Sequence, residues 1–186
     1  MGRLVYTAIT SLDGYLADQE GKFDWAEPDD EVFAYINDHD REAGTYLYGR
    51  RMYELMIGWE TLDTVPGQTD LMIDFARIWQ HADKIVFSST LTETSTARTT
   101  IERRLDADRV RSLKESTEHD ILIGGPTLAA EPVRAGLVDE YNLFTVPVMV
   151  GGGLPYLPAG ARSDLELVHR HRFGNGTLHL RYRPRT

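Results

Sequence analysis

Twice in this chain a short apolar or β-branched run ends at glycine and passes at once into helical periodicity. Residues 45–48 run into Gly49-Arg50-Arg51 and then Met52, Leu55 and Met56; residues 121–123 run into Gly124-Gly125-Pro126 and a helical stretch at 127–135, ahead of Gly136. Strands that alternate with helices in this way are best buried on both faces of a mostly parallel sheet. The rest of the chain fits that frame. Residues 3–10 read as a buried central strand ended by Asp13-Gly14, and Asp29-Asp30-Glu31 opens a helix carrying Val32, Phe33 and Ile36 that stops near Gly44. Residues 69–81 place Leu71, Met72, Phe75, Ile78 and Trp79 at helical spacing before a strand at 84–87. A weaker strand at 99–102, a helix at 106–114 and a strand at 141–150 follow. Asn175-Gly176, between the runs 165–173 and 177–182, predicts a closing antiparallel hairpin. The expectation is one α/β domain over residues 1–186, with a mostly parallel central sheet and an antiparallel C-terminal hairpin.

Composition narrows the function. The 186 residues carry 29 Asp and Glu against 20 Lys and Arg, a net charge of -9, which disfavours extended nucleic-acid or anionic membrane surfaces. The absence of cysteine removes disulfide scaffolds, thiolate nucleophiles and Cys-based metal sites, and fits a reducing compartment, so a cytoplasmic protein is expected. No Gly-x-Ser-x-Gly elbow, GxGxxG or Walker A sequence is present.

Each glycine turn reads either as a plain tight turn or as an anion site, and their pairing favours the second. Gly49-Arg50-Arg51 brings backbone N–H groups, a helix start and guanidinium groups together, and Gly124-Gly125-Pro126-Thr127 lets backbone approach a phosphate closely. Two anion sites suggest a dinucleotide with its pyrophosphate. Ser88-Ser89-Thr90 at a strand's carboxyl end reads either as a contact for a further phosphate or as a helix cap. Trp25 and Tyr53 are candidate walls for a flat heterocycle, and Gly151-Gly152-Gly153 reads as a turn. His169 and His171 share one strand face without an evident third ligand, so no metal is expected.

Four stretches, in this order, resemble the dihydrofolate reductase fold family: 7–17 (TAITSLDGYLA), 48–54 (YGRRMYE), 87–89 (FSS) and 123–128 (IGGPTL). The resemblance covers nearly the whole chain and is closest to small stand-alone members on the branch of the riboflavin-biosynthesis reductase domains. It implies a three-layer fold and an NADPH-dependent oxidoreductase acting on a small heterocycle, assembled as a homodimer through outer strands. It further implies that Ala8 and Ile9 meet the nicotinamide carboxamide and Leu16 lies against the ring. Arg50, Arg51, Ser88 and Ser89 would hold the adenosine with its 2′-phosphate, beside Gly49 and Met52, and Gly124, Gly125, Pro126, Thr127 and Leu128 would cradle the pyrophosphate. The stretch 11–14 is similar to that of the 5-amino-6-(5-phosphoribosylamino)uracil reductases, with Asp13 facing substrate as a hydrogen-bonding or acid–base carboxylate. Trp25-Ala-Glu-Pro28-Asp-Asp30 resembles instead the entry to the pterin-binding helix of dihydrofolate reductases, with Asp30 pairing a pterin edge. Dihydrofolate or another pteridine is thus the alternative substrate, and a non-catalytic NADPH-binding protein the alternative class.

Overall fold

The structure of the protein, a computed structural model, describes residues 1–185. In chain order the strands are β1 (Leu4–Thr10), β2 (Tyr15–Ala17), β3 (Ala43–Gly49), β4 (Asp83–Phe87), β5 (Thr99–Glu102), β6 (Asp120–Gly124), β7 (Glu140–Thr145), β8 (Leu154–Pro155), β9 (Leu165–Arg172) and β10 (Leu178–Pro184). The helices are α1 (Asp30–Asp40), α2 (Arg50–Met56), α3 (Asp70–His81), α4 (Ala107–Ser116) and α5 (Pro126–Arg134). Eight strands form one sheet in the order β5-β4-β3-β6-β1-β7-β10-β9, parallel from β5 through β7 and antiparallel at β10 and β9. This is the mostly parallel α/β sheet with an antiparallel C-terminal hairpin read from the sequence.

The parallel strands are apolar on both faces because helices cover both. On one face Val5, Tyr46, Tyr48, Val86 and Leu122 pack with Phe75 and Trp79 of α3. On the other, Leu4, Tyr6, Leu47, Ile121 and Ile123 pack with Val110 and Leu113 of α4 and with Ala129 and Val133 of α5. Successive residues of β1 and β3 thus enter opposite layers, as the two-residue period of a strand requires. The result is three layers. No helix among the described residues is long and apolar enough to cross a membrane.

Three readings shift. The strand expected at 141–150 ends at Thr145, because Pro147 has no N–H to donate; the chain is still tied to β1's end by Val146 N–Thr10 O at 2.9 Å and Leu12 N–Val148 O at 2.7 Å. The first helix stops at Asp40 instead of near Gly44, since the chain is already extended at Ala43, paired with Asp120. The C-terminal turn spans three residues: Gly176 N donates to Phe173 O at 3.1 Å, Phe173 N donates to Thr177 O at 3.0 Å, and only Gly176 has positive φ, +88°. That is a turn followed by a left-handed glycine, so Asn175 serves through its side chain, accepting from Thr177 N at 2.9 Å.

At the end of α1, Asp40 is buried and accepts from the Tyr46 hydroxyl at 3.2 Å, while its other oxygen and Asn37 Oδ1 have no partner among the described residues. Burial raises its pKa from the ordinary carboxylate value to about 7. The folded chain therefore holds this proton where the unfolded chain has released it. Its contribution is complete below about pH 4 and declines as pH rises to about 7. Asp40→Asn is expected to flatten that decline and to be more stable than the native chain at about pH 8, by about 1–2 kcal/mol in denaturant unfolding. A native stability that rises between pH 4 and 7 through this residue contradicts the assignment.

Candidate functional site

The site follows from topology. β3 hands the chain to α2, and β1 leads through a loop to α1; both helices lie on the α3 face. β6, between β3 and β1, hands the chain to α5 on the opposite face. Neighbouring strands whose exits part to opposite faces leave a crevice at their carboxyl ends, the place where open α/β sheets bind ligands. Gly49, Gly124 and the end of β1 all border it.

Within the crevice the two glycine turns are neighbours, since Tyr48 pairs with Gly124 across β3 and β6. Gly49 approaches Leu128, and a Cβ on Gly124 would stand 3.2 Å from the Tyr48 ring and 3.4 Å from Met52 Cγ. Gly125, the N-cap of α5, has φ +89°, a conformation that L side chains rarely adopt. The helix starts differ in how they are satisfied. Asp29, Thr69 and Asp106 cap α1, α3 and α4, accepting from Val32 N, Met72 N and Arg109 N at 3.0, 3.2 and 2.9 Å. The starts of α2 and α5 have no side-chain cap. At α5, Pro126 removes one donor, which leaves the N–H groups of Thr127 and Leu128 facing outward from the helix end.

Arg50 lies beside the loop that ends β4. Its guanidinium donates to Thr90 Oγ1 at 3.1 Å and to Glu54 at 2.7 Å. Ser88 is buried and accepts from Thr90 N and Leu91 N at 3.3 and 3.0 Å, so its hydroxyl shapes the turn as a cap does, while Ser89 is exposed. Arg51 is exposed and carries no ion pair among the described residues. Sequence reasoning missed Arg103, whose Nη1 donates to Ser88 O at 3.1 Å and Leu91 O at 2.9 Å; it follows β5 directly and brings a further cation to this loop. Only the pairing of β4 with β5 puts it there, and no local motif announces it.

On the other side of the crevice, Ala8 and Ile9 end β1 half-buried, and Leu16 lies on β2. Asp13 is exposed, but its two oxygens accept from Val150 N at 3.2 Å and Gly151 N at 2.8 Å. The Ser11 hydroxyl, then Gly151 and Val150, hold its carboxyl below the usual carboxylate range. An ionised, tied carboxylate is a loop anchor and a poor proton donor at neutral pH. The loop it anchors returns to β2 through β8, and Gly153 packs so closely that a Cβ would collide with the Ala17 carbonyl. Gly151, Gly152 and Gly153 all have positive φ, in keeping with a turn. Asp30, at the first position of α1, is exposed and has no partner among the described residues. Thr7 Oγ1 and Trp25 Nε1 are buried polar atoms without a partner among the described residues.

Two candidates lie elsewhere. Tyr53 is only 3% exposed within the α3-side core, and its hydroxyl meets Thr96 Oγ1 at 3.0 Å and Ser95 N at 3.1 Å, so it anchors the 95–96 loop and leaves no face for a substrate. His169 bonds the Tyr35 hydroxyl at 3.1 Å and His171 stacks on the Tyr35 ring, and no metal-binding group of three His, Asp or Glu residues occurs among the described residues. A broad hollow at the opposite end of the sheet is lined by Arg3, Arg41, Arg98, Asp74, Asp83 and Asp120. Three of its arginines are paired, Arg3–Asp120, Arg41–Asp74 and Arg98–Asp83, and it lies away from the carboxyl ends of the strands.

Comparison with known proteins agrees with this architecture. A family model described as the RibD C-terminal domain matches residues 3–179. The chain is 28% identical to the uncharacterized protein YyaP of Bacillus subtilis over 184 residues, 97% of this chain and 94% of that one. It superposes on a candidate riboflavin biosynthesis protein from Shewanella sp. PV-4 with a TM-score of 0.74 at 18% identity, covering 99% of each chain. Against a Thermotoga maritima diaminohydroxyphosphoribosylaminopyrimidine deaminase/5-amino-6-(5-phosphoribosylamino)uracil reductase the TM-score is 0.65 at 16% identity, over 99% of this chain and 57% of that one. Against Enterococcus faecalis dihydrofolate reductase, solved with NADP(H), it is 0.63 at 15% identity, over 100% and 98%. These structures share the dihydrofolate reductase-like fold, and with the match running from Arg3 to His179 the chain belongs to the RibD C-terminal domain family, a reductase-like family.

Proposed function

We propose that the protein is an NADPH-dependent reductase of a small planar heterocycle of the pyrimidine or pterin class. The observation that carries this reading is the pair of uncapped helix starts at adjacent strand ends, one behind a positive-φ glycine and one beside Arg50. The residues present fit the cofactor: Gly125 leaves open the space a Cβ would fill, and the N–H groups of Thr127 and Leu128 suit a pyrophosphate. Arg50, Arg51, Ser89 and Thr90 suit the 2′-phosphate, with Ser88 shaping their loop. Ala8, Ile9 and Leu16 form the floor of the nicotinamide end. When bound, NADPH supplies the hydride from C4 of its dihydronicotinamide. The chain positions the acceptor: Asp13 fixes the 148–151 loop, Trp25 borders the heterocycle, and Asp30 offers a carboxylate to its polar edge. The partnerless Asp30 favours a pterin-like edge, which keeps the pteridine substrate as the second reading. The homodimer implied by the resemblance fits β9, the exposed edge strand, and a monomeric mass in dilute solution removes it.

Arg50→Ala is expected to weaken NADPH binding about tenfold, the loss of one charge-assisted phosphate contact, and to leave NADH binding unchanged. Fluorescence titration with both cofactors checks this. Equal losses for the two place Arg50 away from the 2′-phosphate.

A further inference from the structure

We infer that α1 is latched to the C-terminal hairpin by a row of hydrogen-bonded histidines that holds only while they are neutral, so that mild acid frees helix and hairpin from one another. The inference is independent of the cofactor reading above and adds a pH-sensitive device to the fold.

The latch is built on one line of α1. Glu31, Tyr35 and His39 stand four residues apart, so they share a face of the helix, beside the apolar line of Val32 and Ile36. All three reach the C-terminal strands. Glu31 accepts from Gly174 N, in the hairpin turn, at 2.9 Å. The Tyr35 hydroxyl lies 3.1 Å from His169 Nε2 on β9 and 3.1 Å from His179 Nδ1 on β10. His39 Nε2 meets the amide nitrogen of Asn142 on β7, and Asn142 Oδ1 lies 3.4 Å from His179 Nε2. The row therefore runs His169–Tyr35–His179–Asn142–His39. Its middle is closed to water: His179 is 1% exposed, Asn142 is buried, and the His179 ring stacks on Phe144 at 4.4 Å. His171 pairs with His179 across β9 and β10 and stacks on the Tyr35 ring at 5.3 Å.

The row fixes where protons sit. An amide nitrogen only donates and an amide oxygen only accepts, so His39 Nε2 accepts from Asn142, and His179 donates to it through Nε2. His179 Nδ1 then accepts the Tyr35 proton, and Tyr35 accepts from His169. Turning the amide over reverses every bond, yet His179 and one end imidazole still each use a ring nitrogen as acceptor. A second proton on either breaks a link. The new charge also finds no counter-ion, because none of the four imidazoles bonds a carboxylate among the described residues. The charged groups around them are Arg181 on β10, Arg3 before β1, Glu140 on β7 and Asp120 on β6. Glu140 is already held by Arg3, Arg181 and Arg183, and Asp120 by Arg3. Burial, then the neighbouring imidazoles and Arg181, push His179 down to about 3, and burial with Arg181 lowers His39. The unfolded chain takes up these protons near the ordinary imidazole value of 6.5, so the latch is whole above that pH and weakens as pH falls.

The test is hydrogen exchange on the full chain at about pH 7 and about pH 5, with each amide referred to its intrinsic rate at that pH. The expected result is a loss of protection of about tenfold or more in α1, β9 and β10, against about threefold or less in β3, β4 and β6. Asp40, next along α1, takes up its proton in the same range, but the folded chain binds that proton more tightly than the unfolded one, so it acts in the opposite sense. His39→Gln with His179→Gln keeps hydrogen-bonding groups without titrating rings and is expected to abolish the difference between the two pH values. His39→Gln alone, at the half-buried end of the row, is expected to reduce it. The ring signals of the native chain need no variant: His179 is expected to stay neutral at about pH 5. Equal protection at both pH values overturns the inference, as does a fall of the same size in every strand, a loss that neither variant reduces, or a charged His179 in the folded chain above about pH 5.

Discussion

Gly125→Val is expected to abolish NADPH binding at concentrations that the proposed function predicts will saturate the native chain, while the protein stays folded. Gly125 has φ +89°, so a β-branched residue there is strained by about 1–2 kcal/mol. The nearest heavy atom to a Cβ is Met52 Cβ at 3.8 Å, an ordinary contact, so the protein interior itself accommodates the new atoms. What they fill is the approach to the start of α5, where Thr127 and Leu128 present uncapped N–H groups. Displacing a pyrophosphate from these donors is expected to raise Kd at least a hundredfold, about 3 kcal/mol, while thermal unfolding moves by only a few degrees. A variant that binds NADPH normally removes the start of α5 from the cofactor site. Gly124 is a poorer test, because its Cβ would press on the Tyr48 ring and the loss would mix folding with binding.

Asp13→Asn is the second large effect. The native carboxylate accepts from Val150 N and Gly151 N with one oxygen each, and an amide can accept only on its oxygen. Its NH2 group faces a backbone donor, so one tie is lost and the 148–151 loop loosens. Turnover is expected to fall about 10- to 100-fold, because a displacement of about 1 Å in a positioning element is enough for losses of that size. NADPH affinity is expected to change less than twofold, since the proposed phosphate contacts lie on α2, α5 and the β4 loop, away from the 148–151 loop. Steady-state kinetics beside a cofactor titration separates the two, and equal loss of both refutes the positioning role. Because the native carboxyl is held ionised, its protonation is expected to bring the same loss only below the ordinary carboxylate range.

Much of this was legible in the sequence. Glycine marks both βα turns, Asn175-Gly176 marks the hairpin, and Asp29, Thr69 and Asp106 mark helix starts through a local hydrogen bond that sequence spacing fixes. What could not be read is non-local. β2 and β8, three and two residues long, have no period to detect and exist because the 148–153 loop folds back against 15–17. Aromatic character does not reveal direction, so the sequence alone makes Tyr53 a candidate pocket wall, whereas α2 turns it into the core. Arg103 reaches the β4 loop through the β4–β5 pairing, and Asp13 is tied to Val150 and Gly151, 137 and 138 residues away, a contact with no local signature.

The most direct test of the central claim is a parallel titration of the native chain with NADPH and NADH. Arginines and hydroxyls around the β4 loop, joined to the uncapped start of α5, predict saturable binding of both, with NADPH at least tenfold tighter. Binding of neither, or NADH bound as tightly as NADPH, contradicts the account, and the glycine turns are then structural alone.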